Sequence, residues 1–556
     1  MNRRHGRVKT LALVTVLMAA LVPNTNAGAA PTDLVPMTSS QFVTQPLLPS
    51  EVRPAAPLSP AEHANLTERL HQMREQMAAQ VSPGTEKKKP PPAPAAPSLI
   101  AQPDDPGADF HGPPNAFIVG RNAAQPFATG NTCGTVVASP YEPATANEGP
   151  HAYYTSNLVA QQFTLNGGVT WQCAPAYPAG PAQAPTPFGD TDVIYDRSRG
   201  VTFHMVLYVN ATLSDGVIGI FVRRNINLAD NCFYFVDIDP AANVLPDYPK
   251  LALSNDWLYT NANRVGGGWQ GAAIVRLNVD QVSDCVGATT QTVNFTNPGG
   301  QRILVPGHGA RDVMYFSWVE TATSWRIFSW ADNPAAVVLQ TVIGGVIAMT
   351  FADADCRGGT NNVDWSGPLN TSIVGFSVRT AIGDDFVTAL TAVDRDPGGA
   401  PHPHAFIRGI VLRVGAAQNL LTLVQQPELW FTDRCTGLPN LGSNDRGDVG
   451  MVEAVGGAFG GGGPAVDTAV GMKDQFNPGP GGFSVTLTVG STHNPSRYGD
   501  YFTVRRHSPD GNFFTASAFG YIGGTAVANT SARYVEFGRG RDHQGYLAWR
   551  NAIPAT

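Results

Sequence analysis

Charge is scarce in this chain. Asp, Glu, Lys and Arg make up 14% of its 556 residues, with a formal net charge of −7. The only cationic run is Lys87-Lys88-Lys89, too small for a nucleic-acid footprint, so no nucleic-acid partner is expected. Past the leader, no apolar stretch reaches the roughly 20 residues that a transmembrane helix needs. There is no Cys-x-x-Cys pair and no Cys/His cluster at zinc spacing, so a structural zinc site is not expected. The Gly-x-Ser-x-Gly elbow and His-Glu-x-x-His are also missing, which argues against an α/β-hydrolase serine enzyme and a zincin protease. After about residue 112, no amphipathic helix of ordinary length interrupts the text, which disfavours alternating β and α elements.

What the chain does have is turn formers and short β runs, with 59 Gly and 45 Pro. Arg3, Arg4, Arg7 and Lys9, the apolar run Leu11 to Val22, and Ala27-Gly28-Ala29 read as a signal peptide over 1–29 and hence as a secreted protein. Six cysteines (Cys133, Cys173, Cys232, Cys285, Cys356, Cys435) in an exported chain suggest three disulfides; they permit about 15 pairings, among which neighbours in chain order (133–173, 232–285 and 356–435) are the expectation. Residues 30–112 read as an arm. It holds one short helix over 59–82, opened by Ser59-Pro60-Ala61-Glu62 and striped by Leu66, Leu70, Met73 and Met77, packing on the main domain or on a partner. A proline-rich spacer follows at 89–97.

From 113 to 556 the pattern is all-β. Strand-like runs such as Thr202–Tyr208, Val217–Val222, Trp325–Trp330 and Phe406–Val414 recur in groups of about four, which predicts a β-propeller. Seven blades are expected, six being the alternative. A strand at Ala116–Val119 should complete the blade formed by the C-terminal strands near Tyr534–Phe537, closing the circle.

A polar step before a short apolar run returns about every 40–60 residues. It stands at Phe188-Gly189-Asp190-Thr191-Asp192, Asp247-Tyr248-Pro249-Lys250, Arg446-Gly447-Asp448 and Tyr498-Gly499-Asp500-Tyr501. If each step opens an innermost strand, these residues converge at one mouth of a central channel. Asp190, Asp448, Asp500 and Tyr501 are then candidate catalytic groups. Asp192, Lys250, His308, Arg446, Arg497 and Tyr498 are candidate substrate contacts, with Arg311 beside His308. Carboxylate pairs at about 5 Å or about 6.5–9.5 Å could hydrolyse a glycoside. A tyrosine beside a carboxylate could serve a glycosidase or a polysaccharide lyase. Clustered carboxylates could bind Ca²⁺, or each could simply accept backbone N–H bonds and fix its turn. Pro401-His402-Pro403-His404 could chelate a metal but offers no third ligand. The tryptophans could stack sugars, though most should pack between blades. Gly460 to Gly463 reads as a flexible hairpin.

Thr164-Leu165-Asn166-Gly167-Gly168-Val169-Thr170-Trp171 resembles the Asp-box of sialidase-like (BNR-repeat) propellers, with Asn166 where that box has Asp. Ser508-Pro509-Asp510-Gly511 is a fainter echo. Together with the polar steps, the chain from about Thr132 to Arg541 resembles secreted bacterial propeller proteins of poorly defined function. The Phe/Tyr-Arg-Ile-Pro motif of true sialidases is absent. The resemblance implies a propeller that binds, and could cleave, an extracellular glycan at its channel mouth; a monomer, extracellular or periplasmic, is expected. The alternative is a non-catalytic module, tethered by its arm, that recognises a cell-surface protein.

Overall fold

In a computed structural model of the protein, the described residues are 142–543 apart from short breaks, together with 35–36, 42–49, parts of 65–72, 100–101 and 116–124. Seven sheets, antiparallel except where Ile100–Ala101 joins one edge in parallel, form the blades of a propeller. Their first strands are Ala144–Glu148, Thr186–Asp196, Leu245–Leu253, Val305–Pro306, Val374–Ala381, Cys435–Ser443 and Val504–Arg506, which define blades 1 to 7. These strands touch one another in succession, and that of blade 7 meets that of blade 1, so they surround the axis. The middle strands are buried on both faces because each is sandwiched between neighbouring blades. Val201–Val209 and Gly216–Arg223 are buried at every position, which is why they read as apolar runs rather than alternating patterns.

The circle closes as the sequence predicts. Phe117–Ala124 is the outermost strand of blade 7 and pairs with Thr530–Arg539, Val119 opposite Phe537. Aromatic residues fill the spaces between blades. Trp257, Trp325, Trp330 and Trp365 are fully buried, and the Arg276 guanidinium lies between Trp257 and Trp330 at 4.2 and 4.0 Å. Two predicted disulfides form. Cys232–Cys285 joins blades 2 and 3, and Cys356–Cys435 ties the segment between blades 4 and 5 to the start of blade 6. Cys173 is disulfide-bonded, and Cys133 lies outside the described residues.

Two expectations need correction. The arm is not only a tether, because three of its segments are strands of the disk. Val35–Pro36 pairs with blade 4, Phe42–Leu47 with blade 3 and Ile100–Ala101 with blade 6, each covering an outer edge. Asn65, Leu66, Glu68, Arg69 and Gln72 are helical. Leu66 is buried among Phe188, Leu207 and Leu245, while Arg69 donates to the carbonyls of Ala211 and Thr212 at 2.9 Å. The signal peptide, the proline spacer and the rest of the predicted helix lie outside the described residues.

The glycine run is the loop of a hairpin, joining Val449–Gly456 to Asp467–Lys473, and a docking point rather than a free loop. A small hairpin, Arg357–Gly358 with Val363–Asp364, packs on it: Arg357 bridges to Ala458 and Gly358 to Gly463. A Cβ on Gly457 would lie 2.3 Å from the Cys356 carbonyl oxygen, so a side chain would expel this hairpin.

Candidate functional site

The inner strands carry backbone irregularities that aim side chains at the axis. In blade 2, Gly189 has φ +73°, and in blade 3, Tyr248 has φ +57° beside a register shift between Asp247 and Lys250. A bulge bends the strand and turns the following side chain, and the left-handed Tyr248 needs its N–H satisfied from outside its own ladder. Asp190 does this, accepting from Tyr248 N at 2.8 Å. Asp192 accepts from Leu251 N at 2.8 Å and Val193 N at 2.7 Å, and takes the guanidinium of Arg505 from blade 7. The polar steps at Gly189 and Tyr248 are therefore bulges within inner strands, and their carboxylates brace blade 2 against blade 3.

Lys250 and Tyr501 fill the axis beside them. The Tyr501 hydroxyl accepts from Thr191 N at 2.9 Å, its ring meets Tyr248 edge-on, and the Lys250 ammonium lies over its face. Both are almost wholly buried. Burial pushes the Tyr501 phenol well above its ordinary value, and the Asp190 carboxylate adds to this. A phenol held protonated in this way is a poor nucleophile. Burial also lowers Lys250 to about 7, against the opposing pull of Asp192, Asp190 and Glu142. Lys250 Nζ has no hydrogen-bond partner among the described residues.

Arg505, which the sequence reading did not single out, is the hub. It donates to Asp192, to the Val193 carbonyl at 2.9 Å and to His308 Nε2 at 3.0 Å. Its one sequence signal is that the apolar run ending at Val504 stops in two arginines. Burial lowers the His308 imidazole well below its usual value, helped by the Arg505 and Lys250 charges, so the ring is neutral.

The other expected residues lie elsewhere. Arg446 and Asp448 do not open an inner strand. They sit in the turn after Cys435–Ser443, at the opposite end of blade 6, because Val449–Gly456 is that blade's second strand. Asp448 accepts from Asn444 Nδ2 and Arg446 Nε, both at 2.8 Å, and Arg446 grips Asp542 with two bonds at 2.8 and 2.7 Å. Tyr498 packs between blades 6 and 7, stacked on Phe519 at 4.5 Å with its hydroxyl on Thr468 and the Phe519 carbonyl. Arg497 and Asp500 lie outside the described residues. His402 is held between Asp396 (2.6 Å) and Glu428 (3.3 Å), and His404 accepts from Phe459 N, so the two are not joint ligands. Among the described residues no group of three or more His, Cys, Asp or Glu side chains is placed to hold a metal ion.

The axis is thus filled at the level of Asp192 and Lys250, and open space lies beyond it. A cavity of about 480 Å³ sits where the inner strands end, floored by Arg505 and His308. Its walls are the turns that lead from first to second strands, including Tyr195, Arg199, Asn255 and Arg311. This is the mouth opposite the bulged ends of the inner strands.

Asn166 lies in the turn between the two outer strands of blade 1: its Oδ1 accepts from Thr170 N at 2.9 Å, and Trp171 packs edge-on against Tyr154 and Tyr534. No family model matches the sequence, and no curated protein does. Solved structures with similar shape include an α-L-arabinofuranosidase from Fusarium graminearum with an iminosugar inhibitor. It is 10% identical, with 71% of this chain and 92% of that one covered and a TM-score of 0.35. A lectin from Aleuria aurantia with Fucα1-6GlcNAc is 9% identical over 64% and 99% of the two chains, with a TM-score of 0.33. YCF48 bound to a D1 peptide is 11% identical over 79% and 98%, also with a TM-score of 0.33. At such values the propeller assignment stands on the chain's own seven sheets, and the sialidase-like type stays a resemblance.

Proposed function

We propose that this chain is an exported propeller that binds an extracellular glycan, in the cavity at the far mouth of its channel, without cleaving it. The observation that carries this reading is the cavity itself: about 480 Å³ of open space over the axis, walled by turns of several blades and holding the half-buried ring of Tyr195 among polar groups. A sugar needs one flat apolar surface and polar groups around it; Tyr195 offers the first and the lining the second, chiefly as N–H donors.

The carboxylates argue for holding over cleaving. Glycoside hydrolysis needs one carboxylic acid and one carboxylate free to meet the scissile bond. Asp190 and Asp192 are spent on backbone N–H groups of blade 3. In the cavity, Asp196 accepts from Ser198 and Arg199, and Asp445 accepts from Arg197 and Arg506. Leu66 of the arm helix is buried in the disk, so this residue is not offered to a partner.

Purified protein titrated against a panel of soluble polysaccharides should bind at least one, with no release of reducing ends. Tyr195→Ala should weaken binding about tenfold, the scale of a lost stacking contact. Binding that ignores Tyr195→Ala, or hydrolysis of the bound glycan, would overturn the reading.

A further inference from the structure

The cavity is rich in guanidinium groups, most of them paired: Arg505 with Asp192, Arg199 with Asp196 and Asp280, and Arg506 with Asp445. The chain carries a formal −7, yet four guanidinium groups (Arg199, Arg311, Arg505, Arg506) and only two carboxylates (Asp196, Asp445) line this mouth. Both carboxylates are already engaged by side-chain cations, Asp196 by Arg199 at 2.8 Å and Asp445 by Arg506 at 2.6 Å and Arg197 at 3.2 Å. Arg199 also holds Asp280 at 2.6 Å. Arg311, by contrast, is exposed at the rim with no ion pair among the described residues.

The floor adds donors rather than acceptors. Arg505 Nη1 donates to His308 Nε2 at 3.0 Å, which makes Nε2 the acceptor and leaves the proton of the neutral ring on Nδ1. That Nδ1 is buried and has no hydrogen-bond partner among the described residues. A lining that is rich in N–H, poor in free acceptors and left, among the described residues, with one unpaired guanidinium, that of Arg311, favours a ligand that brings negative charge and oxygen lone pairs. Guanidinium groups suit planar carboxylates and tetrahedral oxyanions because they donate two parallel bonds.

Resting on the glycan reading above, we infer that the cavity selects an acidic sugar residue, with Arg311 meeting the anionic substituent and Tyr195 stacking on the ring. The shared chemistry is an oxyanion on a pyranose, either a uronate or a sulfate ester. Arg311 is the contact most open to test, since its exposure means that replacing it leaves the fold intact.

The experiment titrates the mature full-length protein with oligogalacturonate, a sulfated galactan oligosaccharide and a neutral galactan of matched length. The expected result is binding of one or both acidic oligosaccharides at least about tenfold tighter than the neutral one, weakened when salt rises from about 50 to about 500 mM. Which acidic ligand wins separates uronate from sulfate. Arg311→Gln should lose about tenfold for the acidic ligand without lowering the unfolding midpoint, and Arg311→Lys should recover part of it. Equal binding of neutral and acidic oligosaccharides, insensitive to salt and to Arg311→Gln, would overturn the inference and leave the glycan reading standing. Failure of all three to bind would overturn the inference, and failure of the wider polysaccharide panel as well would remove both.

Discussion

Arg505 on blade 7 reaches past blade 1 to hold Asp192 on blade 2, so two residues 313 positions apart in the chain form one buried ion pair at the axis. Asp192 passes the connection on through Leu251 N to blade 3. Three blades, 7, 2 and 3, are thereby cross-linked by one carboxylate and one guanidinium.

Removing either partner should be costly, because it leaves the other charged and unpaired in the interior. Asp192→Ala is expected to lower the free energy of unfolding by about 3–5 kcal/mol. Denaturant titration followed by tryptophan fluorescence would measure it. A loss below about 1 kcal/mol would mean that the pair is solvated.

Lys250 gives a pH signature. Burial holds its ammonium at about 7, below the ordinary lysine value of about 10.4, so the unfolded chain binds more protons between those values. Stability should therefore rise with pH across that window, and the penalty for charging the buried amine is full below pH 7. Lys250→Met should be more stable relative to wild type at pH 6 than at pH 10, by a few kcal/mol. Unfolding midpoints of both proteins at the two pH values check the sign, and a pH-independent difference would contradict it.

His402 should behave in the opposite way. Burial disfavours its charged form, but hydrogen bonds to Asp396 and Glu428 outweigh this and raise its pKa. Arg408, on Glu428 at 2.6 Å, is the other charge facing the cluster, and the rings of Phe406 and Trp430 enclose it. The stabilisation is complete below about pH 6.5 and fades as pH rises through the raised folded value. His402→Gln should cost on the order of 1 kcal/mol more at pH 5.5 than at pH 9.

The arm strands should matter for solubility as well as stability. Truncation that removes Phe42–Leu47 uncovers the outer edge of Ala288–Phe295 in blade 3, a row of unpaired backbone groups. The truncated protein is expected to unfold at a lower temperature and to associate with rising concentration. Light scattering across a dilution series would show this, and a monomeric truncation product of unchanged midpoint would contradict it.

Much of the architecture was legible in the chain. The pairing of Val119 with Phe537 follows from the rule that a circular array leaves no free edge, and the 232–285 and 356–435 disulfides follow from pairing neighbours in chain order. The steps at Gly189 and Gly447 look alike because both need a positive φ followed by an acid. Yet the first is a bulge inside an inner strand and the second a turn between strands. Turn chemistry reports local backbone geometry, and it does not say on which side of the disk the turn lies. Arg505 was invisible for a related reason, since its partners are set by blade order and not by its neighbours in sequence. Of the cavity's lining the sequence singled out His308 and Arg311; the rest was hidden because it is made of first-to-second-strand turns, whose residues share no motif.

The most direct measurement is a crystal structure of the full chain soaked with the oligosaccharide that binds best. The account predicts sugar density over the Tyr195 ring and against Arg311, with Lys250 and Tyr501 still packed on each other beneath it. Density at the opposite mouth, or between the blades, would contradict it.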